Sequence, residues 1–305
     1  EANVADTVDA SDLVTLGITG TDGLTVAEVA AINEAINANG LDVTNNPSNL
    51  QDIVDSLEDV VAGSVDATDL TNIGVVLPAD VEIDAINAVI QDPDTDVDDT
   101  SEVQAVADAL DKLNKAEANV ADTVDASDLV TLGITEPDGE DLATFIDSIN
   151  EAINAEGLDV ENSPENLQTI VDSLNDVRDG QVDNTDLTNI GVNPVDGVSL
   201  KAINDALKDE HTNVNDTLEV QAIVDAIAKL NAGEADNNAD LTAADFATLG
   251  LTKPDGEAID ADKLADINAA INLDGTDVTN RLAFVQDIIN VLYGLESEIL
   301  TEADL

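Results

Sequence analysis

The sequence predicts an all-α protein, an elongated tandem array of five short three-helix bundles of about 58 residues each. Three observations predict this class. The segment EANVADTVDASDLVTLGIT occurs at 1–19 and again, unchanged, at 117–135, which indicates internal duplication. Apolar residues recur every three or four positions between punctuating glycines, as is typical of amphipathic helices. The pattern Leu/Phe-x-x-Leu/Ile-Gly returns at spacings of 57, 59, 58 and 59 residues, ending at Gly17, Gly74, Gly133, Gly191 and Gly250.

The first helix of each module is predicted from its start signal. An Asp or Thr stands at the N-cap with an Asp three residues later, which resembles a capping box. The glycine that closes the pattern suits a left-handed C-terminal cap. The helix between them has about two turns, so packing must hold it, because short helices are marginal alone. The cap pairs are Asp9/Asp12, Asp66/Asp69, Asp125/Asp128, Asp183/Asp186, Thr242/Asp245 and Thr301/Asp304.

The second and third helices are predicted from apolar stripes and two polar markers. An Ile-Asn pair marks the second helix, and an apolar-Gln-x-Ile/Val-x-Asp/Asn pattern marks the third. We expect Leu13, Leu16, Ile32, Ile53 and Leu57, with their counterparts, to form the packing set. In the first module the predicted stripes are Val26, Val29, Ile32 and Ile36 for the second helix, and Leu50, Ile53, Val54, Leu57, Val60 and Val61 for the third.

These signals divide the chain into alternating long and short modules. The long modules span 1–65, 117–182 and 234–300, the short ones span 66–116 and 183–233, and 301–305 opens a further module. We number the five complete modules as repeats 1 to 5 in chain order. Because the chain lacks an initiator Met and begins in mid-pattern, we expect it to be a segment of a longer polypeptide.

The composition excludes several classes of function. With 67 acidic and 9 basic residues, the formal net charge is −58, and aromatic residues amount to three Phe and one Tyr. Nucleic-acid binding is not expected, because it needs basic surfaces and stacking rings. Membrane insertion is not expected either, because no apolar run approaches the ~20 residues that span a bilayer. The lack of cysteine removes disulfides, thiolate nucleophiles and thiolate metal sites.

The sequence predicts no enzyme and no required cofactor. Nucleophile elbows, glycine-rich phosphate loops and HExxH motifs do not occur. His211 is the single histidine and stands in the acidic stretch KDEHTNVND, where a surface position is expected. Paired carboxylates are inevitable at this composition, and we interpret most of them as helix caps and solvated faces.

One acidic loop is the best metal candidate. Asp92, Asp94, Asp96 and Asp98 alternate in DPDTDVDDTSE like the first ligands of an EF-hand loop, which suggests Ca²⁺. The loop departs from that pattern because Val97 stands where the turn needs Gly, and Glu102 comes one position early. Diffuse cation condensation on the acidic surface is the alternative.

The order L-x-x-L-G-I/V, then x-I-N-x-A-I, then V-Q-x-I-V-D-x-L resembles the GA module, the three-helix albumin-binding unit of bacterial surface proteins. Similar modules occur in tandem in the acidic, cysteine-free repeat regions of large secreted bacterial adhesins and biofilm proteins. The resemblance implies a three-helix fold, an extracellular or cell-surface location, and a structural or protein-binding role. In the GA family the second helix and its flanks carry albumin binding with aromatic and basic contributions, which the stretch 26–37 lacks.

We therefore predict a structural or interaction protein that forms the stalk or fibre of a bacterial surface adhesin or extracellular filament. The expected partners are neighbouring modules and other copies of the chain. A GA-like module that binds a host protein, and a Ca²⁺-binding extracellular matrix protein, are the alternatives.

Overall fold

A computed structural model describes residues 7–21, 23–38, 40–118, 123–135, 142–155, 157–212, 214, 216–236, 241–273 and 277–297. The described chain is all-helical and contains no β-strand. The Pro-Asp-Gly sequence at 137–139 predicts a turn; this segment and the predicted start of a further module at 301–305 lie outside the described residues.

Fifteen helices are described, three for each sequence repeat. Those of repeats 1 and 2 are α1 (Ala10–Leu16), α2 (Val26–Asn37), α3 (Pro47–Ala62), α4 (Ala67–Ile73), α5 (Ile83–Ile90) and α6 (Thr100–Ala118). Those of repeats 3 and 4 are α7 (Ala126–Thr131), α8 (Leu142–Ile153), α9 (Pro164–Asp179), α10 (Asn184–Asn189), α11 (Leu200–Leu207) and α12 (Thr217–Asp236). Those of repeat 5 are α13 (Ala243–Thr248), α14 (Leu264–Ile271) and α15 (Leu282–Ser297).

The start and stop signals of the short first helices are confirmed. α1, α4, α7, α10 and α13 each begin with a capping box, in which the N-cap side chain and the third-residue Asp bond each other's backbone N–H groups. The five pattern glycines all have positive φ, between 71° and 83°. At α1 the amide of Ile18 also donates to Leu13 O at 3.1 Å, which satisfies a carbonyl that the helix end leaves free.

The apolar stripes supply most of the core, but in repeat 1 Val29 and Ile36 are half-buried and three residues expected in the core are exposed. Ile32, Ile53 and Val60 are buried as expected. Val26 is 89% exposed, because it is the first residue of α2 and its side chain lies at the helix end. Val61 is 66% exposed, since it lies one position past the buried Val60 and faces away from the core. Leu16 was also expected in the core but is 48% exposed.

The chain divides into two compact units, which comprise 1–146 with 159–168, and 147–158 with 169–305. In the first unit, α3 packs against α2 and α4, and α6 packs against α5 and α7. α2 also contacts α4 and α6, so helices of repeats 1 and 2 share one core.

In the second unit, α12 packs against α11 and α13. α15 packs against α14 and α11, so a helix of repeat 4 contacts a helix of repeat 5. Phe246 on α13 is fully buried and is the largest side chain in this core.

Candidate functional site

In four of the Ile-Asn markers, the Asn binds the backbone just ahead of the first helix of its repeat. Asn33 Oδ1 accepts from Val8 N at 2.8 Å, and its Nδ2 donates to Val8 O at 2.9 Å. A side-chain amide can accept from the N–H and donate to the C=O of one residue, as a neighbouring strand does in a β-ladder. The two bonds together fix both the position and the orientation of that backbone segment. The same link joins Asn87 to Val65 and Asn268 to Leu241, and Asn204 donates to Val182 O.

The Gln of the third-helix marker binds the backbone just after the first helix. Gln104 Oε1 accepts from Val76 N at 2.7 Å, and its Nε2 donates to Val76 O at 3.1 Å and to Asp108 Oδ1 at 2.9 Å. The Asp four residues later therefore orients the amide, which explains why the marker contains both residues. Gln51 makes the same pair of bonds to Thr19, Gln221 to Asn193 and Gln286 to Thr252.

A serine joins each long repeat to the short repeat that follows it. Ser56 Oγ on α3 donates to Asp69 Oδ1 at 2.9 Å and accepts from Asn72 Nδ2 at 3.0 Å. Asp69 is also the third-residue Asp of the α4 capping box, so one carboxylate closes the cap and the joint. In the second unit, Ser173 makes both bonds with Asp186 and Asn189. We call this arrangement the serine junction.

Backbone close packing completes the serine junction. The amide of Leu41 donates to Asn72 O at 3.4 Å, and a Cβ on Gly40 would lie 2.4 Å from that same oxygen. A Cβ on Gly157 would likewise lie 2.4 Å from Asn189 O. Real Cβ atoms do not approach so closely, so only glycine allows this contact.

Two asparagines join each short repeat to the long repeat that follows it. Asn114 Oδ1 accepts from Asn162 N at 2.8 Å, and both side-chain amides donate to Asp80 O, at 2.7 and 3.0 Å. Asn162 Oδ1 in turn accepts from Glu82 N at 2.9 Å. In the second unit, Asn231 and Asn280 bind Gly197 O and Ser199 N in the same pattern. We call this arrangement the Asn clasp.

A lysine accompanies each Asn clasp. Lys112 Nζ lies 2.6 Å from Asp128 Oδ1, in the capping box of α7, and this hydrogen bond raises the pKa of Lys112. Lys229 Nζ lies 2.5 Å from Asp245 Oδ2, in the capping box of α13. The N-cap Asp125 accepts from Ser127 and from backbone amides, which lowers its pKa to about 2.

The structure places the four aspartates of the predicted Ca²⁺ loop in the connection between α5 and α6. Asp92 Oδ1 accepts from Asp94 N at 2.9 Å, and Asp94, Asp96 and Asp98 are exposed. Within the described residues, the one group of three side chains with all ligand atoms within 4.8 Å is Asp98, Asp99 and Glu102. It contains only Asp98 of the four predicted residues.

That group is organised as the N-terminal cap of α6. Asp99 Oδ1 accepts from Glu102 N at 2.9 Å, and Glu102 Oε2 accepts from Asp98 N at 2.8 Å. Burial raises the pKa of Glu102, and repulsion from Asp99 and Asp98 adds to that effect. Capping accounts for the arrangement, and Ca²⁺ binding by the loop stays a prediction.

An acidic groove of about 570 Å³ lies over the first Asn clasp, in the first unit. Its floor is apolar and includes Val89, Leu132 and Ile134. Among its described lining residues there is no lysine, arginine or histidine, so the electrostatic potential in the groove favours cations. The carboxylates around it are Glu82, Asp84, Asp92, Asp94 and Glu165.

The second unit does not repeat this charge pattern. Lys201, His211 and Arg281 stand where the groove has Asp84, Asp94 and Ser163. His211 is half-exposed, with Nδ1 2.8 Å from Asp209 Oδ1, so it lies at the surface as the sequence indicates.

The sequence patterns identified the Ile-Asn and Gln markers but assigned them no role. The available signal was that a polar residue recurs at a fixed offset inside each apolar stripe. A position that needs only a helical surface residue would vary among the repeats, whereas a bond to a backbone N–H and C=O requires an amide.

A search of protein-family models, curated proteins and solved structures finds no match to this chain. None of the helices in the described part of the chain has the length and apolar character needed to cross a bilayer.

Proposed function

We propose that this chain is a structural segment, an array of five three-helix repeats each docked on the next, which serves as the stalk or fibre of a bacterial surface adhesin or extracellular filament. One observation carries the proposal. The two kinds of joint alternate along the sequence, with serine junctions after repeats 1 and 3 and Asn clasps after repeats 2 and 4.

Such joints suit a load-bearing array. Each is made by a side chain bonded to backbone or to a helix cap, so the register between neighbours is fixed by directional bonds as well as by apolar contact. Stability in a repeat array is close to a sum of repeat terms and joint terms. The core is aliphatic, with three Phe in 305 residues, and gives each repeat little stability of its own. The joints between repeats therefore matter for the stability of the array.

The charge supports an extracellular setting. A net charge of −58 keeps segments of one chain apart and opposes aggregation, but it also weakens the folded state at low salt. At high ionic strength the Debye length falls to a few ångströms, and this cost shrinks. A salty exterior therefore suits this surface, with cations held diffusely around it.

Small-angle X-ray scattering with light scattering tests the proposal, at several concentrations and salt levels. A compact globule of this length would have a radius of gyration of about 19 Å, whereas a linear array is expected to give roughly twice that value. A particle mass that grows with protein concentration would identify a fibre-forming segment. A constant mass would identify a monomeric stalk. A compact monomer would contradict both and favour the GA-like host-binding alternative.

The double variant Asn114→Ala with Asn231→Ala is the matched test of the joints, since it removes one residue from each clasp. We expect a broader distribution of distances in the scattering curve while the circular dichroism stays helical. An unchanged curve would contradict the role given to the clasps.

A further inference from the structure

Repeat 1 carries the same surface that repeats 3 and 5 use to receive the short repeat before them. We name it the α1 docking face and define it by Asp12, Leu16, Gly17, Val43 and Asn45. We propose that this face binds a short-form repeat, one with the sequence pattern and clasp residues of 66–116. The inference rests on the proposed repeat array.

The apolar part of the face is uncovered. Leu16 is 48% exposed, whereas its equivalents Leu132 and Leu249 are 1% and 2% exposed. Val43 is half-buried, whereas Val160 and Val278 are fully buried. Identical residue types are thus buried where a short repeat precedes them and less buried in repeat 1.

The helix-ending glycine shows the same difference. A Cβ on Gly133 would lie 2.9 Å from Thr95 Cγ2 of repeat 2, and one on Gly250 would lie 2.7 Å from Asp209 Cγ of repeat 4. A Cβ on Gly17 would meet no atom within 4 Å. The three glycines share one conformation, with φ of 76°, 71° and 78°, so the difference is in what covers them.

The polar part of the face is already in its bonded conformation. Asn45, Asn162 and Asn280 are the non-glycine residues of the described chain with positive φ, at 57°, 52° and 56°. The left-handed region is uncommon for such residues. The Asn clasps surround Asn162 and Asn280, but the side chain of Asn45 is exposed and makes no hydrogen bond to a described residue.

The identity of the occupant follows from sequence continuity and charge. Residues 1–19, which contain α1, are identical in sequence to residues 117–135, which follow short repeat 2 and contain α7. Asp12 occupies the place of Asp128, whose partner is Lys112 of that short repeat. A short-form repeat therefore supplies what this face lacks: an asparagine for Asn45, a lysine for Asp12 and an apolar cover for Leu16.

A cysteine probe tests the assignment, because the chain contains no cysteine of its own. Leu16→Cys is placed in the full chain and in a longer chain that carries a copy of 66–116 directly before Glu1. The rate of reaction with a water-soluble aromatic disulfide reports exposure of the thiol. We expect the extension to slow the reaction by more than about tenfold, since a buried thiol reacts only on local opening.

Two controls make the result decisive. Leu132→Cys in the unextended chain gives the rate for a covered position, and it separates this inference from the proposed array, because a fast rate there would sink the array itself. In the second control the copied repeat carries Ala at the positions copied from Lys112 and Asn114, and part of the protection should be lost.

Equal Leu16→Cys rates with and without the extension, while circular dichroism shows that the copy is helical, would overturn the proposal. Protection in the unextended chain that rises with protein concentration would also overturn it, because the clasp residues of both short repeats are already bonded within the chain and a second copy would then cover the face with other residues.

Discussion

The backbone N–H of Asn162 donates to the side-chain oxygen of Asn114 at 2.8 Å, across 48 residues of sequence. Asn114 is buried, and its own amide group donates to Asp80 O. The first Asn clasp therefore depends on two short polar side chains that satisfy each other and the backbone around them.

Asn162→Ala is expected to lower the free energy of unfolding by about 1–3 kcal/mol, because it removes the bonds of the Asn162 side chain to Glu82 N, Asp80 O and Asn114 Nδ2. Asn45→Ala makes the same backbone change, at nearly the same φ, where the side chain has no such bonds. Urea denaturation of both variants measures the difference. Equal losses would mean that backbone strain, and not the clasp, accounts for the effect.

Gly133→Val is expected to destabilise its repeat through two effects. The left-handed conformation costs a Cβ-bearing residue roughly 1–2 kcal/mol, and the new Cβ would lie 2.9 Å from Thr95 Cγ2. Gly17→Val has the same φ penalty without the contact. In thermal unfolding, the melting temperature of Gly133→Val should be lower than that of Gly17→Val. An unchanged melting curve for Gly133→Val would refute the role given to this glycine.

Gln104→Met keeps the length of the side chain but removes both bonds to Val76, so we expect a loss of about 0.5–1.5 kcal/mol for each hydrogen bond. Gln104→Glu can still accept from Val76 N, but it sets a carboxylate oxygen against Val76 O and Asp108 Oδ1 in place of the donating amide, so it should be no more stable than Gln104→Met. Hydrogen exchange of the Val76 amide measures the link directly. Exchange of the Val76 amide as slow in Gln104→Met as in the native chain would contradict it.

Stability is expected to pass through a maximum as the pH falls. Burial raises the pKa of Glu102 and of Glu151 above the usual 4.5. Above the raised pKa values these charges lower the stability of the fold, and stability increases as the pH falls and the two groups take up protons. The pKa of Asp125 is lowered from 3.8 to about 2, so its contribution is complete above 3.8 and is lost as the pH falls through about 2.

Melting temperatures between pH 7 and pH 2 measure this profile. Asp125→Asn should flatten the acid limb, because an amide does not titrate there, and Glu151→Gln should flatten the rise. A melting temperature that only falls from pH 7 downwards would contradict the raised pKa values of Glu102 and Glu151.

The melting temperature is also expected to rise with NaCl, up to roughly 1 M, where the Debye length is about 3 Å. The cause is screening of a net charge of −58. Sucrose at equal osmolality provides the control, since it favours compact states without screening charge. An equal rise in sucrose and in salt would exclude electrostatic screening as the cause.

The helices and their caps could be predicted from the sequence because both depend on residues close together in the chain. The Asp9/Asp12 pair and Gly17 determine the ends of α1 through bonds to their own helix. The periodicity also identified most of the core, but it could not separate Val60 from Val61, because adjacent positions differ by only a fraction of a turn.

The joints could not be read from the sequence. Asn162 and Asn45 stand in similar turn sequences with similar φ, and only the first has a clasp. Likewise Leu16 and Leu132 occupy identical sequence contexts but differ in burial. What separates each pair is a neighbour distant in sequence, and no local pattern contains that information.

The serine junction has a consequence for how freely the repeats could be exchanged. Ser56 and Ser173 occupy the position that is Val291 in repeat 5, and Val291 is 59% exposed. If a copy of 66–116 were grafted after repeat 5, its counterparts of Asp69 and Asn72 would face methyl groups in place of a hydroxyl. The repeats are thus similar but not interchangeable parts, and a single side chain on each third helix restricts which neighbour fits. Gene rearrangements that shuffle them would produce mismatched pairs even though every individual helix were preserved.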